Sequence, residues 1–375
     1  MSSESNEPQS ASPKAVPERI LLIRLSAIGD CLHAVPTLVA LRRAFPKAYI
    51  GWAIEKGPHT LLEGHPLVDR FHIFPRHAFK KKEGTWIGRL KTMSEFRDEL
   101  KSMKYDVAID LQGLTKSGLV ARWSRARQRI GFKGEDSREL NLLFMNARQT
   151  TPEWAVHIVE KNMSLLGILG IDAHQKPEWV MPEYKAEHEA VSEFLIKAGL
   201  KNNGTVEKYA VLNPGATWIT KRWPADRFGD VARMLTRSRD LPIVVTWAGE
   251  EERIAAELIV KMAEHQRVVM APDTNLRQLA ALIASSKLFI GNDTGPMHLA
   301  VALNIPTVAV FGGTDPLRNG PYGRNNRILA AGPECQPCWK TTCKRGDLKC
   351  LDLVQPGKVV SSAENLLDRA GRDAR

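Results

Sequence analysis

A chain of 375 residues exceeds one ordinary domain, so two α/β units of roughly 100–200 residues each are expected. Its 43% hydrophobic and 25% charged content is that of a globular protein with a sizeable core, and no run of about 18 apolar residues is present to form a transmembrane helix. The 53 Lys and Arg against 42 Asp and Glu leave a net charge of +11, which suits a phosphate-bearing partner or a solvated basic surface but does not choose among nucleic acid, nucleotide sugar and anionic membrane.

The first 18 residues are rich in Ser, Pro and Glu and lack an apolar segment, so they read as a disordered lead and not a secretory signal. A cytoplasmic protein with reduced thiols is therefore expected. Ile20–Ile23 has the continuous apolar character of a buried parallel strand, Gly29 permits a tight turn, and Cys31–Ala44 carries helical periodicity. Asp30 sits in that turn, beyond the carboxyl end of the strand, where open α/β sheets bind their ligands. Its neighbour Cys31 reads as a small buried apolar residue, because no base adjoins it.

Tyr49–Ile54 and Phe71–Phe74 are the next strands, followed by the basic stretch Arg76–Lys82 and a helix over Thr85–Met103. Tyr105–Leu111 is a strand that leads into a helix from Leu114. Lys116 lies in that helix's first turn, where the dipole disfavours a cation unless an anion is close. The Arg-rich stretch Arg122–Arg148 shows no register. Trp154–Leu169 has a helical apolar stripe, and Pro177–Tyr184 reads as an extended connection between domains.

The pattern then restarts. Helices are expected over Glu187–Ala198, Asp226–Ser238, Glu250–Glu264 and Leu276–Ala284, alternating with strands Tyr209–Asn213, Ile243–Trp247, Val268–Met270 and Leu288–Gly291. This alternation predicts a second doubly wound sheet. The resulting division is a lead (1–18), a first domain (19–180), a second domain (181–355) and a C-terminal helix (356–375).

Chemistry concentrates at three strand ends of the second half. Asn292–Ala302 opens a helix with Pro296 in its first turn, and the free N–H groups of Thr294 and Gly295 suit a diphosphate. Asp293 is either an N-cap or, with His298 a turn away, part of a ligand site. The loop Gly215–Pro224 offers Thr217 and Lys221 to phosphate oxygens, and Glu250 follows a third strand end, able to accept ribose hydroxyls. No dinucleotide fingerprint, P-loop, Ser-centred elbow or H-E-x-x-H occurs. Cys335, Cys338, Cys343 and Cys350 form C-x2-C-x4-C-x6-C, which suits Zn or an iron–sulfur cluster, or else free or redox-active thiols.

Four segments together, Ser26–Pro46, Ile109–Gly118, the KRWP loop at Lys221–Pro224, and Gly291–Pro316, resemble the glycosyltransferase family 9 heptosyltransferases across Arg19 to Lys358. The resemblance implies a GT-B fold: two facing Rossmann-like domains, the first holding the acceptor and the second an ADP-sugar. It also implies inverting transfer without an essential metal, with Asp30 matching the general base. Thr217, Lys221, Glu250, Asp293, Thr294, Gly295 and His298 match donor positions, with Lys221 facing the diphosphate and assisting the chemistry. Lys116 is a candidate acceptor contact. The implied acceptor is an anionic, lipid-linked lipopolysaccharide core of Kdo/heptose type, which places the protein peripherally on the cytoplasmic face of the inner membrane. The competing expectation is a non-catalytic or regulatory nucleotide-sugar-binding protein on the same fold. Nucleic acid is not an expected partner, since it explains none of the strand-end motifs.

Overall fold

The computed structural model describes residues 16–79, 85–202 and 205–373; most of the expected disordered lead and Lys80–Lys82 of the basic stretch lie outside the described residues. The first six strands are β1 (Arg19–Ile23), β2 (Tyr49–Ile54), β3 (Arg70–Ile73), β4 (Val107–Asp110), β5 (Gln128–Lys133) and β6 (Ala147–Thr150). They pair in parallel in the order β3-β2-β1-β4-β5-β6. A short antiparallel pair, β7 (Lys201–Asn202) and β8 (Thr205–Val206), precedes the second sheet. That sheet comprises β9 (Ala210–Asn213), β10 (Ile243–Val245), β11 (Val268–Met270), β12 (Leu288–Asn292), β13 (Thr307–Phe311) and β14 (Asn326–Ala330). Its order, β11-β10-β9-β12-β13-β14, repeats the first, and both are doubly wound α/β sheets.

Strand residues alternate between two faces, and the helices divide accordingly. Ile20 and Leu22 join Leu38 and Leu41 of α2 (Val35–Ala44), on the side shared with α1 (Ile28–Leu32) and α3 (Lys56–Leu62). Leu21 and Ile23 instead meet Phe96 and Leu100 of α4 (Trp86–Ser102) and Val120 of α5 (Thr115–Trp123). The first of these layers faces the second lobe, with α1 against α11 (Gly295–Ala302) and α3 against α10 (Leu276–Ala284). One apolar cluster accordingly runs from Trp52 through Leu32 to Met297 and Phe289. The α4–α5 layer is turned outward.

The connection between sheets holds α6 (Ile158–Ser164) and α7 (Lys185–Lys197). The second sheet is flanked by α8 (Ala225–Arg239), α9 (Gly249–Ala263), α10 and α11, followed by the short α12 (Pro316–Asn319) and α13 (Lys349–Asp352). The C-terminal α14 (Pro356–Asp373) lies on α8 and the strands β12 to β14, burying Val359, Val360, Ala363 and Leu366.

Two expected elements come out differently. The single helix over Cys31–Ala44 is two helices, α1 and α2, because Pro36 has no N–H to extend the ladder and takes a first-turn position of a new helix. The stripe Trp154–Leu169 becomes helical only at Ile158, where the His157 side chain accepts the Val159 N–H, and its last five residues tighten into a 3-10 turn ended by Gly170 at φ 78°.

Candidate active site

The carboxyl ends of β1, β2 and β4 build the first half of the site. Asp30 stands in the first turn of α1, where its Oδ2 accepts the Ala27 N–H at 3.1 Å, as in a capping box. Its Oδ1 is 2.7 Å from Arg24 Nη2, and Arg24, itself buried, donates also to the Leu111 carbonyl. The Asp30 side chain remains 38% exposed, so a carboxylate held by a buried guanidinium still faces solvent. Lys116 receives the anion that its helix position demands: its Nζ lies 2.9 Å from Glu55 Oε1 at the end of β2 and donates to Ser26 Oγ at 3.4 Å. Glu55 is buried and binds Arg76 Nη1 at 3.1 Å as well. Asp110, in contrast, is consumed structurally. It accepts from the Gln112 and Gly113 N–H groups, Ser117 and Asn141, and burial raises its carboxyl pKa against those donors. Cys31 is fully buried, and burial pushes its thiol up, as an unreactive packing residue requires.

The second half lies at β9, β12 and β13. Asn292 ties the Gly215–Pro224 loop to the sheet, accepting the Trp223 N–H at 3.1 Å and donating to the Pro214 carbonyl at 2.8 Å. Asp293 is not an N-cap; Thr294 occupies that position without a side-chain bond, leaving the first N–H of α11 uncapped by any side chain. Asp293 is 3% exposed and binds Lys221 Nζ at 2.7 Å, the Thr314 hydroxyl at 2.7 Å and, at 3.5 Å, His298 Nε2. Burial alone would raise its carboxyl pKa, but His298 and Lys221 outweigh that and hold it well below the usual carboxylate range. Lys221 Nζ also sits 4.8 Å above the Trp218 ring. Thr217 is exposed at the tip of the same loop.

Glu250 is not gathered with these groups. It is exposed at the start of α9, and Arg253 one turn on holds its carboxylate. Its neighbour Glu252 turns inward instead, accepting the Ala248 N–H at 2.9 Å and lying over Gly215, where an added Cβ would stand 2.3 Å from the carboxylate.

The halves meet at a histidine seam. His33 Nε2 is 3.0 Å from His298 Nδ1, and His33 is buried and kept neutral by burial and then by its His298 and His157 neighbours. His298 thus links Asp293 through Nε2 to His33 through Nδ1, and His33 Nδ1 is buried without a hydrogen-bond partner. Gly29 allows this contact, for a Cβ there would lie 2.5 Å from the His298 ring. Arg318 on α12 enters the same cleft. Burial lowers its pKa, and the charged groups around it are Asp30, Arg138, Asp136 and Arg24. One cleft thus has a carboxylate on the α1 side and a cation with an uncapped helix start on the α11 side. That pairing fits displacement of a diphosphate by a hydroxyl.

The profile of glycosyltransferase family 9 (heptosyltransferase) matches residues 93–349, more than half of the chain. The chain belongs to glycosyltransferase family 9. Lipopolysaccharide heptosyltransferase 1 of Pseudomonas aeruginosa is 29% identical over 364 residues, covering 93% of this chain and 98% of that protein. The Escherichia coli K12 protein of the same description is 28% identical over 319 residues, covering 84% and 94%. The E. coli heptosyltransferase WaaC solved with ADP-2-deoxy-2-fluoro heptose superposes with a TM-score of 0.67 at 26% identity, covering 84% of this chain and 93% of that one. The fold is accordingly the GT-B arrangement of two six-stranded parallel sheets, and the protein is a glycosyltransferase of the heptosyltransferase class.

In this family 9 glycosyltransferase the four-cysteine segment buttresses the loop that carries Lys221. The Cys338 N–H donates to the Gly313 carbonyl at 3.0 Å, the Gly313 N–H to the Thr220 carbonyl at 2.8 Å, and the Thr220 hydroxyl to the Lys340 carbonyl. Cys335 is exposed, Cys338 and Cys343 half-buried, and Cys350 buried in the second core. Burial raises the Cys350 thiol, and the other three sulfurs add to that, so the four share one neighbourhood. Yet among the described residues no group of three His, Cys, Asp or Glu is placed to hold a metal ion, so the expected Zn or iron–sulfur ligation does not fit this geometry. Arg24, His33, Arg318, Thr314 and Glu252 carry no local signal of their roles in the sequence, apart from the i, i+3 spacing of Asp30 in α1 and His33 at its C-cap.

Proposed function

We propose that the enzyme is an inverting transferase that moves a heptose from ADP-heptose to a lipopolysaccharide core acceptor of Kdo/heptose type, with Asp30 as general base. The observation that supports this reading is the packing of α1 on α11, which brings the helix of Asp30 against His298, the residue that with Lys221 contacts Asp293. The acceptor hydroxyl attacks the anomeric carbon as its proton passes to Asp30. A new C–O bond forms on one face, the bond to the β-phosphate oxygen breaks on the other, and the electron pair leaves with ADP.

Each neighbour has a role in that step. Arg24 aims the Asp30 carboxylate, while its open side leaves lone pairs for the hydroxyl. Lys221 uses one of three donors on Asp293 and has two for the diphosphate, whose growing charge also meets the uncapped N–H of α11. Thr217 and Thr294 supply hydroxyls to the donor, and Asp293 and His298 hold Lys221 and the helix start in place. Lys116, paired to Glu55 beside Ser26, contacts an anionic acceptor from the first lobe. The acceptor is lipid-linked, so the enzyme works at the cytoplasmic face of the inner membrane; among the described residues no helix is long and apolar enough to cross a membrane.

The test is Asp30→Asn. Transfer from ADP-heptose to a Kdo-bearing acceptor is expected to fall by about 10²–10⁴-fold, the scale of a lost general base, with the ADP-heptose Kd unchanged by calorimetry. Near-normal turnover would remove Asp30 from this role.

A further inference from the structure

We infer that the outward face of α4 is a membrane-docking surface, with Trp86, Ile87 and Leu90 entering the interface of an anionic bilayer and Arg97, Lys101, Arg122 and Arg125 lying against its phosphates. The inference rests on the lipid-linked acceptor proposed above and names the surface that would bring the enzyme to it.

The helix buries Phe96 and Leu100 against the first sheet. At 3.6 residues per turn, Trp86, Ile87, Leu90, Ser94, Arg97 and Lys101 form a stripe on the flank of that buried side, bordered by Asp98, which pairs with Arg97 at 3.0 Å. Its first turn and a half is apolar and open to solvent: Trp86 is 69% exposed, Ile87 77% and Leu90 46%. An exposed Trp-Ile pair followed by Leu one turn on is costly in water and signals a partner. The stripe then turns basic. Arg97 and Lys101 join Arg122 and Arg125 from the end of α5 around a depression of about 400 Å³, with Trp123 on its wall and Asp98 as its one carboxylate. The charge is crowded there, since burial and then nearby Arg122 lower the pKa of Arg129.

Apolar and aromatic insertion beside a cationic cluster is the chemistry of an interfacial helix on anionic lipid. Arg97 is already paired with Asp98, and a row of lipid phosphates would match the Lys101, Arg122 and Arg125 that remain beside it. Placement agrees: α4 and α5 form the layer facing away from the second lobe, so docking leaves the cleft free to open and close. Both are crossover helices that begin at the carboxyl edge of the first sheet, the edge that carries Asp30.

Flotation of the full chain with phosphatidylcholine vesicles, with and without phosphatidylglycerol, tests the surface directly and needs no turnover. The unsubstituted protein is expected to float with anionic vesicles and much less with neutral ones. The triple variant Trp86→Ser, Ile87→Ser, Leu90→Ser should bind anionic vesicles at least about tenfold more weakly, and Arg97→Glu with Lys101→Glu should lose the preference for anionic lipid. Both variants should keep the unsubstituted rate on a water-soluble, deacylated acceptor and lose rate on acceptor embedded in vesicles. That soluble rate also shows that they fold. Vesicle binding unchanged in both variants would overturn the inference, as would no binding by the unsubstituted chain, or self-association through this face in its place. Absence of heptose transfer to any acceptor would instead overturn the functional proposal and leave the flotation result to stand by itself.

Discussion

Asp293 is buried and ionised, and its partners come from three segments: Lys221, Thr314 and His298. Before donor binds, therefore, the Lys221 charge is already balanced, and the site holds a buried ion pair rather than a lone ammonium. Removing one member leaves the other uncompensated, which in buried pairs costs about 3–5 kcal/mol. Lys221 retains 18% exposure, so Lys221→Ala should cost about 2–3 kcal/mol by chemical denaturation, at the lower end of that range. It should also weaken ADP-heptose binding by about 10–100-fold and slow transfer, because the same ammonium would meet the diphosphate. Adding Asp293→Asn to Lys221→Ala should restore most of the stability and none of the activity. Unchanged stability in the single variant would show that the pair does not form.

At the scale of elements, the site depends on how closely α1 can approach α11. Gly29 is the point of contact, with the His298 ring against it and Ile28 3.8 Å from where a Cβ on Gly295 would stand. His298 cannot swing aside cheaply, since Asp293 and His33 hold both ring nitrogens. Gly29→Ala should therefore push the helices apart at a cost of about 1–3 kcal/mol and reduce transfer more than it reduces ADP-heptose binding. Gly57→Ala in α3 is the control: nothing lies within 4 Å of the added methyl, and the helix gains up to about 1 kcal/mol. Differential scanning fluorimetry of the two variants compares these outcomes. Equal melting temperatures for both would dismiss the close approach at Gly29 as a constraint. The Cys338–Gly313–Thr220 ladder belongs to this scale too, because it fixes the loop that carries Lys221 from behind with main-chain bonds.

Across the whole molecule, the lobes are joined by buried neutral histidines. His157 donates from Nε2 to the Gly320 carbonyl at 2.8 Å, linking the start of α6 to the second lobe, and His65 donates to the Val180 carbonyl of the connection at 2.8 Å. Burial lowers both to about 4. The unfolded chain, with ordinary values near 6.5, then binds more protons than the folded one between about pH 6.5 and 4, so stability is fully present above 6.5 and is lost as pH falls through 4. Each group contributes up to about 3 kcal/mol to that loss. The melting temperature should be flat from pH 7.5 to 6.5 and drop steeply by pH 4.5, and His157→Gln should remove part of the slope. A profile unchanged by that substitution would assign the acid sensitivity elsewhere.

Local features were legible in the sequence because their causes are local. Apolar runs mark β1, β9 and β12, Pro296 marks the first turn of α11, and the hand-over from strand to turn places Asp30 and Asp293 at sheet edges. Partner choice was not legible. Nothing near residue 33 in the chain reveals its bond to His298, 265 positions away, and the stretch around Asp30 does not show that Arg24 folds back onto it. Three glutamates open α9, and only packing over Gly215 decides that Glu252 turns inward while Glu250 pairs with Arg253. The cysteine spacing suits a metal, but how the four thiols stand to one another around a segment docked onto Thr220 and Gly313 is set by tertiary packing. Periodicity and turn chemistry act within a few residues, so the sequence by itself determined two doubly wound sheets and the edges on which the chemistry lies. Which charges neutralise one another, and that α1 meets α11 across a buried histidine seam, depends on desolvation and contact between segments far apart in the chain, and only the tertiary structure decided it.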